Sequence, residues 1–83
     1  MDDKKIGEIS QYFHNISVAA IMLSDELKEG DQIHIKGATT DFKQKVKSME
    51  IERESVEKGE KGQEIAIKVK DRVRENDEVF LVE

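Results

Sequence analysis

The chain contains no cysteine and no proline, and each absence excludes particular structural features. Without cysteine it has no disulfides and no thiolate metal ligands, so we expect a cytoplasmic location. Without proline, and without any low-complexity segment, no linker interrupts the sequence. Residues 1–83 are therefore predicted to form a single domain.

Long apolar runs and excess positive charge are also missing. No stretch approaches the roughly 20 apolar residues that span a bilayer, and the first five residues are too charged for an export signal, so we expect no membrane contact. The formal net charge is −5 and the isoelectric point is about 5.1. Such an acidic chain is ill suited to indiscriminate nucleic-acid binding, so any RNA contact requires a local basic patch.

The sequence also lacks the signatures of catalysis and cofactor binding. Its five glycines are too dispersed to form a phosphate-cradling loop, so GTP binding by that route is excluded. His14 and His34 lie too far apart in sequence to indicate a metal site, and no serine lies in a nucleophile-elbow motif. The many glutamates are typical of solvated faces and turns. We therefore expect a protein that is not an enzyme and binds no cofactor.

The apolar residues that are present favour strands. Ile and Val supply sixteen residues and Leu only three, and β-branched residues suit pleated strands better than helices. Six strands are predicted, and they cover Ile6–Phe13, Val18–Leu23, Gln32–Lys36, residues 42–51, Glu64–Lys70 and Glu78–Val82. The sequence thus predicts an all-β fold: a small six-stranded antiparallel β-barrel, closed or nearly closed.

Turn residues precede three of these strands. Gly30 tolerates a positive φ angle, and Asp31 beside it can accept a hydrogen bond from the nearby backbone. Asn76 and Asp77 repeat the pattern near the end of the chain, because asparagine also tolerates left-handed geometry. A two-glycine turn over residues 57–62 precedes the fifth strand.

The fourth predicted strand changes phase along its length. Phe42 and Gln44 share one face, whereas Met49 and Ile51 fall on the other. Because strand side chains alternate strictly, this change predicts a β-bulge near Lys47–Met49.

One basic cluster stands out in the acidic chain. It consists of five alternating lysines on the fourth and fifth strands, namely Lys43, Lys45, Lys47, Lys68 and Lys70. If these strands are neighbours, the lysines form a stripe that could follow a phosphate backbone. The alternative is that they solvate the outer face or protect a sheet edge. Tyr12 and Phe13 are the aromatic residues available to stack on a base, and one of them is expected to belong to the core.

Three segments in order carry a resemblance to a known family. They are Ile6–Ile9, Leu27–Ile33 and Val56–Ala66. Together they resemble the second, β-barrel domain of translation elongation factors of the Tu type, and small stand-alone elongation factor-like proteins. The resemblance covers almost the whole chain. It implies a non-catalytic module that contacts tRNA, the ribosome or another translation partner.

The same resemblance assigns two further residues. Glu50 and Arg53 match the family segment that approaches the tRNA terminus, whereas Glu52 replaces an aromatic residue there and Ala66 replaces a glycine. The family's GTPase domain has no counterpart in this sequence, so no GTP is expected.

A second hypothesis also fits the pattern. A similar barrel occurs as the accessory C-terminal domain of the U32 family of peptidases. This resemblance implies a protein-interaction barrel that docks a protein partner through an acidic surface or a free strand edge.

Overall fold

A computed structural model describes residues 4–82, and these residues form ten β-strands and no helix. The strands are β1 Lys4–Phe13, β2 Val18–Leu23, β3 Leu27–Lys28, β4 Gln32–Lys36, β5 Asp41–Lys45, β6 Met49–Ile51, β7 Glu54–Val56, β8 Lys58–Gly59, β9 Glu64–Lys68 and β10 Glu78–Leu81. The prediction of an all-β fold is confirmed.

Eight strands form one antiparallel sheet in the order β5-β4-β10-β1-β2-β9-β6-β7, and the short strands β3 and β8 pair separately. The sheet curls into a half-barrel, and β5 and β7 are its two edges. The prediction of a six-stranded barrel, closed or nearly closed, is therefore wrong in strand number and closure, because the sheet has eight strands and is a half-barrel. The short strands β3, β7 and β8 were not predicted, because two or three residues carry too little alternation to be recognised.

The core lies inside the curl of the sheet. It is built from aliphatic side chains and one methionine, each at most 4% exposed: Ile6, Ile9, Ala19, Ile21, Leu23, Leu27, Ile33, Ile35, Val46, Met49, Ile65, Ile67, Val69, Val73 and Val79. Cross-strand partners such as Ile9, Ile21 and Ile65 stack on the same inner face, as strict alternation requires. The bias towards Ile and Val is thus a property of this core.

The predicted bulge near Lys47–Met49 is instead a break between two strands. Residues 46–48 belong to no strand, and beyond them β6 pairs with β9, far from β5 in the sheet order. The alternation of apolar residues shifts by one position here because the chain leaves one strand pair and joins another. Val46 and Met49 are both buried, so the core receives side chains from both sides of the break.

The Gly30 turn is fixed by four hydrogen bonds. Asp31 donates its backbone N–H to the Lys28 carbonyl (3.1 Å), and its carboxylate accepts from the Lys28 N–H (2.9 Å). Gly30, at φ 97°, donates to the Val46 carbonyl (2.7 Å), and Val46 donates back to the Asp31 carbonyl (2.8 Å). The last two bonds extend the β4–β5 ladder beyond the Gln32–Lys45 pair by one step.

The predicted repeat at Asn76 forms the same structure. Asp77 bonds the Arg74 backbone through its own N–H (3.1 Å) and through its carboxylate (2.9 Å). Asn76, at φ 74°, donates to the Ile9 carbonyl, and Ile9 donates back to the Asp77 carbonyl, both at 2.8 Å. These bonds extend the β1–β10 ladder.

A third copy precedes β9, with glutamine in the aspartate position. Gln63 bonds the Glu60 backbone through its N–H (3.0 Å) and its side-chain oxygen (2.8 Å). Gly62, at φ 90°, and Gln63 exchange backbone bonds of 2.9 Å with Leu23, extending the β2–β9 ladder. One turn design therefore sets the register of three strand pairs.

Replacing Gly30 by valine should destabilise the domain by about 1–2 kcal/mol, because a β-branched residue at positive φ meets its own backbone. Nothing lies within 4 Å of a Cβ built on Gly30, so the cost arises in the backbone alone. The matched variant Gly30→Asn should cost clearly less, as Asn76 already occupies the equivalent position. Urea unfolding of both variants measures the difference, and equal losses would contradict this account of the turn.

Candidate functional site

An open groove of about 590 Å³ lies between the end of β5 and the residues that end and follow β9. It is lined by Gln44, Lys45, Lys47, Ser48, Lys68, Val69 and Lys70. Four of the five lysines predicted as a basic stripe therefore meet around one concavity. We call it the basic groove.

Gln44 bridges the two sides of the basic groove. Its side-chain N–H donates to the Lys68 carbonyl, and its side-chain oxygen accepts the Lys70 backbone N–H, both at 2.9 Å. The amide thus makes the two bonds that a peptide group of a neighbouring strand would make. The lysines were predicted to gather through pairing of the two strands, but a single side chain joins β5 to this segment instead.

The groove lysines have no acidic partner among residues 4–82. No carboxylate of the described residues lies within ion-pair distance of Lys45, Lys47, Lys68 or Lys70. The Lys70 ammonium lies 5.8 Å from the centre of the Phe42 ring. The positive charge of the groove is therefore not neutralised by any carboxylate of residues 4–82.

Among the described residues, four lysines outside the groove pair with carboxylates, namely Lys4, Lys5, Lys28 and Lys58. These pairs shift the pKa of some of their members. The hydrogen bond from Lys4, 2.6 Å away, lowers the pKa of Asp25, and that from Lys58 lowers the pKa of Glu26. Lys5 has its pKa raised by Glu78, 3.0 Å away. These pairs lie on the exposed surface, where each contributes little stability.

Lys43 lies outside the groove lining. It is directly opposite His34 in the β4–β5 ladder, and His34 hydrogen-bonds Asp41. The bond from His34 lowers the pKa of Asp41, and the nearby charges of Lys36 and Lys43 act in the same direction. Lys43 is therefore the one lysine of the predicted stripe that does not line the groove.

Glu50 and Arg53 belong to a hairpin rather than to the groove. Ile51 pairs with Glu54, so Glu52 and Arg53 form a two-residue loop between β6 and β7. Both have positive φ, 51° and 69°, as a type I′ turn requires, although neither is a residue that favours this geometry. Glu50 faces outward opposite Ala66 of β9.

A second surface was not predicted from the sequence. All six residues of β2 are apolar, although only one face of the strand meets the core. The outward residues of β2, their cross-strand neighbours and Ile16 of the turn between β1 and β2 form what we call the outer patch: Phe13, Ile16, Val18, Ala20, Met22 and Ala66. Within this patch Ala20 is only 8% exposed. Phe13, Ile16 and Met22 are 41%, 61% and 47% exposed. The sequence feature that could have indicated this patch is the unbroken apolar run Val18–Leu23.

Tyr12 and Phe13, the two aromatic residues considered for base stacking, lie in different environments, as expected. Tyr12 packs against the core, whereas Phe13 is exposed in the outer patch.

Within residues 4–82 no group of acidic or histidine side chains has the arrangement of a metal site. No helix of this part of the chain has the length and apolarity to cross a membrane.

Curated relatives match this chain over nearly its whole length. An uncharacterized protease of Methanocaldococcus jannaschii is 40% identical over 79 residues, which are 94% of this chain and 19% of the relative. A collagenase of Porphyromonas gingivalis is 42% identical over 77 residues, which are 90% of this chain and 21% of the relative. The chain thus spans about a fifth of the length of these relatives. No protein-family model matches it.

A solved structure shares the fold. The C-terminal domain of a U32 peptidase from Geobacillus thermoleovorans superposes with a TM-score of 0.90 at 16% identity, covering 96% of this chain and 93% of that domain. The fold is therefore that of this C-terminal domain. Of the two functional hypotheses, the comparisons support the one based on the accessory domain of U32 peptidases.

The resemblance to translation elongation factors is wrong, and so is the assignment to protein biosynthesis. The relatives are named as a protease and a collagenase, and the matching domain comes from a peptidase. The misleading signal was the glycine-aspartate turn. The same turn design precedes three strands of this chain, so its function here is to begin a strand.

Replacing Glu52 by Asn and Arg53 by Gly should stabilise the domain by about 1 kcal/mol, because both new residues accept the positive φ of the type I′ turn. The matched change Glu50→Asn lies on β6, where asparagine is disfavoured, and should give no gain. Thermal and urea unfolding compare the variants. The double change leaves the net charge unaltered, so a gain of equal size from Glu50→Asn would show that loss of a single hairpin carboxylate, and not the turn geometry, was responsible.

Replacing Gln44 by Met should cost about 1–2 kcal/mol, because it preserves the length of the side chain and removes two hydrogen bonds. The Lys70 amide should also exchange with solvent faster. The control Gln32→Met changes an exposed glutamine on β4 and should lie within about 0.5 kcal/mol of the parent. Unchanged exchange at Lys70 in the Gln44 variant would mean that the bridge does not join β5 to β9.

Proposed function

We propose that this chain is a non-catalytic accessory domain that binds a peptidase. The observation that carries the proposal is its match to a discrete domain of a U32 peptidase, at a TM-score of 0.90 over nearly all of both chains. The matching segment forms only about a fifth of the protease-named relatives, so most of each relative lies outside it. Such a segment is suited to placing or orienting the larger part.

The outer patch is the surface that we assign to this contact. A strand with one solvated face normally alternates apolar and polar residues, and β2 does not. Phe13 and Met22 are both exposed on the outer face of the sheet, and several exposed apolar side chains on one face are typical of protein contact sites. Phe13 and Met22 offer the large flexible or aromatic side chains that are enriched at such interfaces.

The charged neighbours of the patch suit a protein contact. Met22 lies between Glu8 and Glu64 in the strand register, so its apolar side chain has an acidic rim. A polar rim around an apolar centre is the usual arrangement of a protein interface. The cytoplasmic location expected from the cysteine-free sequence stays a prediction.

Replacing Met22 by Lys should weaken binding to the peptidase several-fold, because it places a charge on one of the large exposed apolar side chains of the outer patch. The measurement is nuclease-treated affinity purification from cells of the source organism, followed by mass spectrometry. The parent domain should recover a peptidase that resembles the curated relatives in the part of their sequence that this chain does not match. The variant Met22→Lys should recover several-fold less of it.

The matched control is Gln32→Lys, which adds the same charge on exposed β4 and should leave recovery unchanged. Folding of both variants is checked by circular dichroism. Recovery that is lost on nuclease treatment, or that is equal for Met22→Lys and the parent, would contradict the proposal.

A further inference from the structure

The basic groove gathers four lysines around one concavity, and no carboxylate of residues 4–82 lies within ion-pair distance of any of them. Its four lysines lie on two banks, Lys45 and Lys47 on one and Lys68 and Lys70 on the other. Elsewhere, Lys4, Lys5 and Lys58 are held by carboxylates of the chain itself. The whole chain carries a net charge of −5, so the remainder of the molecule is more acidic still.

The groove is also pre-formed rather than a chance meeting of mobile side chains. The two banks are fixed by the double hydrogen bond of Gln44, which spans β5 and residues 68–70. Val69, only 4% exposed, anchors one bank in the core. On the other bank, the turn at Gly30 holds Val46, the residue between the two lysines, through two backbone bonds. The positions from which the four lysines extend are therefore set by the fold.

The lining favours carboxylates on a short peptide over a nucleic acid. Phe42, the ring beside the groove, is half-buried against the core and the Lys70 ammonium lies 5.8 Å from its centre, so a base that stacked there would have to displace Lys70. Base stacking on aromatic rings supplies much of the affinity for single strands. A long polyanion leaving the groove would also pass over the acidic remainder of the surface, which repels it.

The stems of the lysines supply the complementary apolar contact. Lysine covers apolar surface with its methylene chain while its ammonium remains in water. The groove therefore offers ammonium groups along its two banks with apolar stems between them. A peptide that carries acidic side chains among apolar ones matches both features.

We propose that the basic groove binds a short acidic segment of a partner protein, through pairs between its carboxylates and Lys45, Lys47, Lys68 and Lys70. This site is distinct from the outer patch and does not depend on the peptidase contact. The hypothesis that the same lysines bind RNA stays a prediction, and the experiment below decides between the two ligands.

The test measures fluorescence anisotropy with three probes: a labelled peptide that alternates Glu and Val, the same peptide with Gln for each Glu, and a labelled oligouridylate. The Glu peptide should bind at low ionic strength, weaken as salt is added, and exceed both other probes in affinity. Amide shifts in the parent domain should concentrate at residues 44–48 and 68–70.

The double variant Lys45→Gln/Lys68→Gln should bind the Glu peptide at least about fivefold more weakly, because it removes one charge from each bank. The control Lys36→Gln/Lys61→Gln removes two exposed charges outside the groove and should bind like the parent. If the double variant does not fold, the amide shifts of the parent still locate the site.

Three results would overturn the proposal. They are no binding of the Glu peptide at low ionic strength, equal affinity of the groove and control variants, and tighter binding of the oligouridylate with the same dependence on Lys45 and Lys68. The last result would assign the groove to nucleic acid. Because this assay uses the isolated domain and synthetic ligands, its failure leaves the peptidase proposal intact.

Discussion

The structure depends on one pattern of backbone hydrogen bonds that occurs three times. In each case a left-handed turn residue and the residue after it exchange bonds with one buried residue of a neighbouring segment. The buried partners are Val46, Leu23 and Ile9. Each exchange adds one pair of backbone hydrogen bonds to an antiparallel ladder just before a strand begins. The register of that strand pair is therefore already fixed at the turn. With only 83 residues and a modest core, this local specification offsets the limited stabilisation available from burial.

The basic groove is a consequence of one of these exchanges. Val46 is bonded to the turn at Gly30, and from there the chain leaves β5 and crosses to pair β6 with β9. The sheet therefore stays open between β5 and the end of β9, and Gln44 spans the opening with its amide. A closed ladder at this place would leave no concavity between the lysines.

Two surfaces of different chemistry result from the same sheet. The outer patch is apolar and lies on the convex side of β2, whereas the basic groove lies at the opening between β5 and β9. Val18 lies directly opposite Lys68 across the β2–β9 pair, so the two surfaces adjoin. An accessory domain of this kind can contact a larger protein through one surface and a peptide segment through the other.

The sequence by itself determined the strand content, five of the main strand positions and the left-handed turns at Gly30 and Asn76, because alternation and φ preference act over a few residues. It also identified four of the lysines that line the groove. Only the tertiary structure decided that the sheet stays open, that Gln44 bridges it, and that Lys43, Glu50 and Arg53 lie elsewhere. These features depend on which distant strands pair, and pairing is set by contacts between residues far apart in the chain, such as Val46 with Asp31 and Glu50 with Ala66.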